Sequence, residues 1–156
     1  IVLCGMPSSG KTTVGKEIAN DFGKRFIDTD DVVVEKRKES ITDIFEKYGE
    51  GEFRKEERLA IEELSKENGL VIATGGGAVL DENNVRALRR NGVILFLDRS
   101  LENLVATADR PLSKDKEKLK NLFEKRYDVY KSCADAVIPA DGEIADVVEK
   151  IKGVLL

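Results

Sequence analysis

The sequence predicts an α/β fold, a three-layer arrangement with a parallel sheet between helices. Two observations predict it. Five short apolar runs alternate with segments whose apolar residues recur at helical spacing. The first of these junctions holds Gly5-Met6-Pro7-Ser8-Ser9-Gly10-Lys11-Thr12, which matches the phosphate-loop pattern G-x-x-x-x-G-K-[ST] at every fixed position. Strands joined through helices run parallel, and their helices cover both faces of the sheet. In such sheets ligands sit at the carboxyl ends of the strands. Gly5, Asp28 and Gly75 all follow strand ends.

Ile1-Val2-Leu3-Cys4 is the first buried strand, and Val14, Ile18, Ala19 and Phe22 mark the helix behind the loop. Arg25-Phe26-Ile27 is a second strand running into Asp28-Thr29-Asp30-Asp31. A helix through Val32–Val34 follows, then a second with Ile41, Ile44, Phe45 and Tyr48, which Gly49-Glu50-Gly51 breaks. Phe53, Glu57, Ala60, Ile61 and Leu64 share one helical face. Leu70–Ala73 is the third strand and ends at Gly75-Gly76-Gly77. Val85 and Leu88 mark another helix, and Val93–Leu97 is the fourth strand. Leu101, Leu104 and Val105 begin a helix that ends near Asp109-Arg110-Pro111. The charged, partly mobile stretch Ser113–Lys120 grades into a helix with Leu119, Leu122, Phe123, Tyr127 and Tyr130. Ala136-Val137-Ile138 is the fifth strand, and Ile144, Val147, Val148 and Ile151 belong to the last helix.

The 156 residues suffice for one domain with a substantial core, residues 1–156, and contain no repeat or linker. Charged residues make up 36% and no apolar run approaches a membrane span, so the chain reads as globular, without a membrane partner. No signal peptide pattern is present, and the chain starts inside a strand without an initiator Met, so leading residues or a larger parent chain are expected. A net charge of −4 with interspersed basic residues argues against a nucleic-acid surface. Cys4 and Cys133 have no motif spacing, as in a reducing compartment, and a cytoplasmic location is expected. There is no His, so any general base is a carboxylate, Lys or Tyr. Nothing demands a dimer, and a monomer is expected.

The loop itself calls for a nucleoside triphosphate with Mg²⁺. Its glycines let backbone N–H groups approach an anion, the following helix points its positive end there, Lys11 adds charge, and Thr12 offers a hard oxygen. Asp28 and Asp30 lie two apart at a strand end, on one side of an extended chain, where one can support a metal and the other accept a proton. The same pair also suits an acidic helix N-cap. Arg126 lies on an apolar stripe and Arg54 one turn before Glu57, so each points toward a cleft and an anionic substrate, or pairs internally, Arg54 with Glu57. Gly75-Gly76-Gly77 offers N–H groups to a ligand or simply turns the chain. Arg110 before Pro111 suits a lid that stabilises a transferred phosphoryl group, or a solvated surface.

Together, GMPSSGKTTVGK (5–16), FIDTD (26–30), DIFEKYGEGEFRKEE (43–57), ATGGGAV (73–79), DRPL (109–112) and KRYDVY (125–130) resemble the shikimate kinase family over nearly the whole chain. The resemblance implies five parallel strands in the order 2-3-1-4-5, substrate-binding helices at about 30–62 and a mobile lid at about 108–118. It implies transfer of the γ-phosphoryl of ATP to the shikimate 3-hydroxyl, on the route to chorismate. Ser8, Ser9, Gly10, Lys11, Thr12, Thr13 and Arg110 would bind ATP, and Thr12 with Asp28 would hold Mg²⁺. Asp30 would be the base and bind the substrate hydroxyls. Arg54 and Arg126 would grip the carboxylate, Gly75, Gly76 and Gly77 would hold a hydroxyl through a backbone N–H, and Phe45 and Phe53 would wall the pocket. Lys11, Asp30 and Arg110 are the catalytic set. The chain departs from the family pattern at Asn103, where members often carry Arg, at Tyr127-Asp128, where a Pro is usual, and in Pro139–Glu143. A kinase of another polar metabolite such as gluconate, and an inactive nucleotide-binding homologue, are the alternatives. The absence of N-K-x-D speaks against a GTPase switch.

Overall fold

In the computed structural model, which describes residues 1–106 and 110–156, the apolar runs pair as one parallel sheet. Its strands are β1 (Val2–Cys4), β2 (Arg25–Asp28), β3 (Leu70–Ala73), β4 (Ile94–Asp98) and β5 (Ala136–Pro139), in the order β2-β3-β1-β4-β5. The register sets Val2 opposite Ile72 on one side and Ile94 on the other. Side chains alternate between the faces. Val2, Cys4, Leu70, Ile72, Ile94 and Phe96 enter one core cluster, while Leu3, Val71, Leu95 and Leu97 enter the other. Burial on both faces is why these strands read as continuous apolar runs.

Helices α1 (Lys11–Asp21) and α7 (Ile144–Leu155) cover one face, through Val14, Ile18, Val147 and Ile151. Helices α4 (Glu50–Leu64), α5 (Glu82–Arg89) and α6 (Lys116–Cys133) cover the other, through Ile61, Leu88, Leu119 and Tyr130. Helices α2 (Thr29–Arg37) and α3 (Ile41–Tyr48) pack beside α4 around a smaller cluster of Val33, Ile44, Phe53 and Ala60. Arg37 ties α2 to α4 through Glu52 at 2.8 Å and Glu56 at 3.3 Å. This layer stands over the carboxyl ends of β2 and β3 and leaves a cleft toward the phosphate loop.

Two expectations need correcting. No helix starts at Leu101 among the described residues: Leu101–Asn103 is a single 3-10 turn, and Leu104 is already extended. Where the turn stops, Arg99 Nε donates to the Asn103 carbonyl at 2.9 Å. Val105, Ala106 and Arg110 are not helical either, and residues 107–109, among them the lid residues Ala108 and Asp109, lie outside the described residues. Nor are Asp28 and Asp30 alternating residues of one extended strand. Asp28 closes β2 and caps α2, its Oδ1 accepting the Asp30 N–H at 2.9 Å, so Asp30 already stands in the helix. Among the described residues, no helix is long and apolar enough to cross a membrane.

Candidate active site

The phosphate loop joins β1 to α1. Gly5 has φ +146°, and a Cβ there would meet the Leu97 carbonyl oxygen at 2.8 Å, so both conformation and space require glycine. Ser8 (φ +65°) and Gly10 (φ +95°) complete a left-handed curl, and no side chain caps the first N–H groups of α1. Those donors converge at the positive end of the helix and form an anion site. Lys11 Nζ folds over the loop and donates to the Gly5 and Met6 carbonyls, both at 2.8 Å. Burial, with Arg110 nearby, lowers its pKa to about 8. Ser8 Oγ donates to the Val105 carbonyl at 2.8 Å, tying the loop to the segment after β4.

Two cavities adjoin the sheet's carboxyl edge. One, of about 270 Å³, is lined by Ser8, Ser9, Gly10, Lys11, Thr12, Thr13 and Thr74. The other, of about 320 Å³, lies under α2–α4 and is lined by Phe45, Phe53, Arg54, Glu57, Gly77, Leu122 and Arg126 among others. They share Thr12, Asp28, Asp30, Gly75, Gly76 and Arg110. Every residue expected to bind ATP, Mg²⁺ or substrate therefore lines one or both cavities. The shared walls are where a group held by the loop would meet a molecule in the second cavity.

Thr12 Oγ1 donates to Asp28 Oδ2 at 3.1 Å, which places two hard oxygen donors side by side at the phosphate end. They fit Mg²⁺, which takes few protein ligands and completes its shell with phosphate and water. Among the described residues no three acidic, His or Cys side chains converge as a closed metal cage. The carboxyl of Asp30 is raised to about 6 by burial and by Asp28 beside it.

The glycine triplet is the floor of the second cavity, and each residue has a different charge above it. A Cβ on Gly75 would meet Asp30 Oδ1 at 2.6 Å and Glu57 Oε2 at 2.7 Å. On Gly76 it would meet Pro7 at 3.1 Å and Arg126 Nη1 at 3.3 Å, and on Gly77 the Arg54 guanidinium carbon at 2.6 Å. The Gly75 N–H donates to Thr29 Oγ1 at 2.9 Å, so this donor is used internally and is not free for a ligand. Tyr130 OH donates to the Gly76 carbonyl at 2.5 Å and pins the triplet from α6. Phe45 and Phe53 pack tilted at 5.3 Å between ring centres and form an apolar wall.

Arg54 pairs internally and also faces the cleft. It lines the cavity, and its Nη1 donates to Glu57 at 2.9 Å while Nη2 reaches Glu50 at 3.2 Å. Arg126 is buried on α6 and faces the same space. Three contributors escaped the sequence reading: Thr29 and Tyr130 as supports of the triplet, and Glu57 as a cavity wall. Only Glu57 carried a signal, an acid on an otherwise apolar helical face. Asn103 and Asp141, two of the departures from the family pattern, meet each other. Asn103 Nδ2 donates to Asp141 Oδ1 at 2.9 Å, and Ser100 N donates to the same oxygen at 2.9 Å.

Gly77 has φ −98°, an ordinary backbone, so Gly77→Ala leaves the chain unstrained and displaces only Arg54. It is expected to raise the KM for a carboxylate substrate by about tenfold, one charge-assisted hydrogen bond, and to lower Tm as the displaced guanidinium loosens its bond to buried Glu57. Steady-state kinetics beside a thermal melt checks this, and an unchanged KM would disconnect Arg54 from the substrate.

A cavity of this size suits a small molecule. Opening onto a phosphate loop at the central strand of a parallel sheet, it places the chain among the phosphate-loop kinases of small molecules. The family model described as shikimate kinase matches residues 7–155, nearly all of the chain. A shikimate kinase of Clostridium beijerinckii is 40% identical over 100% of this chain and 94% of its own length. One of Caldicellulosiruptor bescii is 45% identical over 85% of this chain and 81% of its own. The structure of shikimate kinase from Acinetobacter baumannii in complex with shikimate superposes with a TM-score of 0.91 at 32% identity, covering 99% of this chain and 91% of that one. This chain belongs to the shikimate kinase family. A gluconokinase from Sinorhizobium meliloti, at TM-score 0.62 and 18% identity over 96% of this chain and 86% of that one, shares the fold alone.

Proposed function

We propose that the chain transfers the γ-phosphoryl group of ATP to the 3-hydroxyl of shikimate, giving shikimate 3-phosphate and ADP on the route to chorismate. The observation that carries this reading is the meeting of the two cavities at Asp30, with both arginines lining the second cavity and not the first. An acid with several hydroxyls fits that polarity. Its carboxylate goes to Arg54 and Arg126, its ring lies against Phe45 and Phe53, and its hydroxyls reach Asp30 and the Gly76 N–H.

Asp30 accepts the proton of the attacking hydroxyl. At neutral pH a carboxyl near 6 is mostly ionised yet basic enough to take it. The hydroxyl oxygen bonds to the γ-phosphorus as the bond to the β-phosphate oxygen breaks in line, with no covalent enzyme intermediate. The loop amides and Lys11 hold the phosphates, and Arg110, on the wall common to both cavities, stabilises the charge on the transferred group. Thr12 and Asp28 would hold Mg²⁺, which supplies charge neutralisation on the phosphates when bound. Residues near 108–118 act as the lid that excludes water. The chain works as a single cytoplasmic domain, in keeping with two buried cysteines that form no disulfide, and as a monomer.

ADP release from Mg·ATP, with and without shikimate and with gluconate for comparison, tests the proposal. Release that depends on shikimate and is absent with gluconate is expected. No stimulation by shikimate despite ATP binding would overturn it.

A further inference from the structure

Arg54 already serves two carboxylates, Glu50 through Nε and Nη2 and Glu57 through Nη1, and an incoming carboxylate competes with both for its charge. Both acids lie on its own helix. Glu57 is 1% exposed, and only one of its oxygens is engaged: Oε1 accepts from Arg54 at 2.9 Å, whereas Oε2 has no hydrogen-bond partner among the described residues. That free oxygen crowds Gly75 from the same side as Asp30 Oδ1. A second carboxyl therefore faces the cavity that receives the acid.

The charges around Glu57 come from every neighbouring element. From α2 comes Asp30, with Asp28 behind it; from α6 come Arg126 and the hydroxyl of Tyr130. Arg110 shares the cavity, and on the outer side Asp81, bound by Arg58 at 2.8 Å, stands with Glu82 at the start of α5. Burial outweighs Arg54 and holds the carboxyl of Glu57 at about 7. A ligand carboxylate brings another negative charge beside it and draws Arg54 away. Both changes favour the neutral form of Glu57.

We propose that Glu57 is a positioning residue that couples binding of the substrate carboxylate to proton uptake: the ligand takes over Arg54, and Glu57 takes a proton from solvent in exchange. The only bond formed is the O–H of its carboxyl, and the charge in the cavity is conserved. The inference rests on the shikimate reading above. Affinity for shikimate then falls above neutral pH, by up to about tenfold per pH unit, as one proton is required for binding. Glu57→Gln removes this slope.

Calorimetric titration of shikimate into the wild-type protein near pH ~7.5, in two buffers of different ionisation enthalpy, measures the protons taken up. A substantial fraction of one proton per shikimate is expected, and none in Glu57→Gln. The amide of shikimate, which brings no charge to Arg54, is expected to bind to the wild type with little uptake, a comparison that does not depend on the variant folding. Equal heats in both buffers with the wild type, uptake persisting in Glu57→Gln, or full uptake with the amide would each overturn the proposal while leaving the kinase reading in place. Failure of shikimate to bind at all would instead remove the reading on which it rests.

Discussion

Asp30→Asn is expected to lower kcat for shikimate phosphorylation by about 10²–10⁴-fold, the usual contribution of a positioned general base. The substitution keeps the shape of the side chain and the backbone N–H bond to Asp28 Oδ1 at 2.9 Å, so the start of α2 is preserved. The phosphate loop is a separate wall, and binding of Mg·ATP is expected to survive. What disappears is the acceptor for the hydroxyl proton at the junction of the two cavities. Single-turnover kinetics separates this from product release. A rate within threefold of wild type would mean that proton removal by Asp30 does not limit the chemical step.

The second large effect is at Arg126. Arg126→Ala is expected to raise the KM for shikimate by about a hundredfold or more, because loss of a buried charged partner costs about 2–5 kcal/mol and each 1.4 is a factor of ten. Arg126 is 5% exposed and stands over Gly76, so solvent cannot easily replace it. Affinity for ATP is expected to change little, since Arg126 lines only the second of the two cavities described above. Arg126→Lys should recover only part of the loss, because an ammonium is a point charge and cannot fork across a carboxylate. A fall in kcat at unchanged KM would place Arg126 in the chemical step instead of substrate capture.

The features legible in the sequence are those written in neighbouring residues. β1 and β4 were readable because burial on both faces demands unbroken apolar runs, and the phosphate loop because its turn needs glycines at set spacings. The segment after β4 was misread because Leu101, Leu104 and Val105 carry helical spacing, and three apolar residues at that spacing do not distinguish one 3-10 turn from the start of a helix. Asp28 and Asp30 were found as a pair, and of their two readings the helix N-cap is the one the structure shows, since the helix begins at Thr29 and not beyond Asp30. The strand order followed from the family resemblance and not from periodicity, which is blind to which strands lie side by side.

The amino-acid sequence by itself determined the α/β class, the triphosphate-binding loop and the identity of the charged residues available for chemistry. Only the tertiary structure decided how those charges share the cavity. Glu57 is one turn from Arg54 in sequence, yet its free oxygen matters because β3 and α2 deliver Gly75 and Asp30 to the same spot. Tyr130 and Thr29 act on the glycine triplet across 54 and 46 residues of chain. Such contacts depend on ångström distances between elements that are remote in sequence. Those distances are set by the packing of whole helices on the sheet, and no local pattern encodes them.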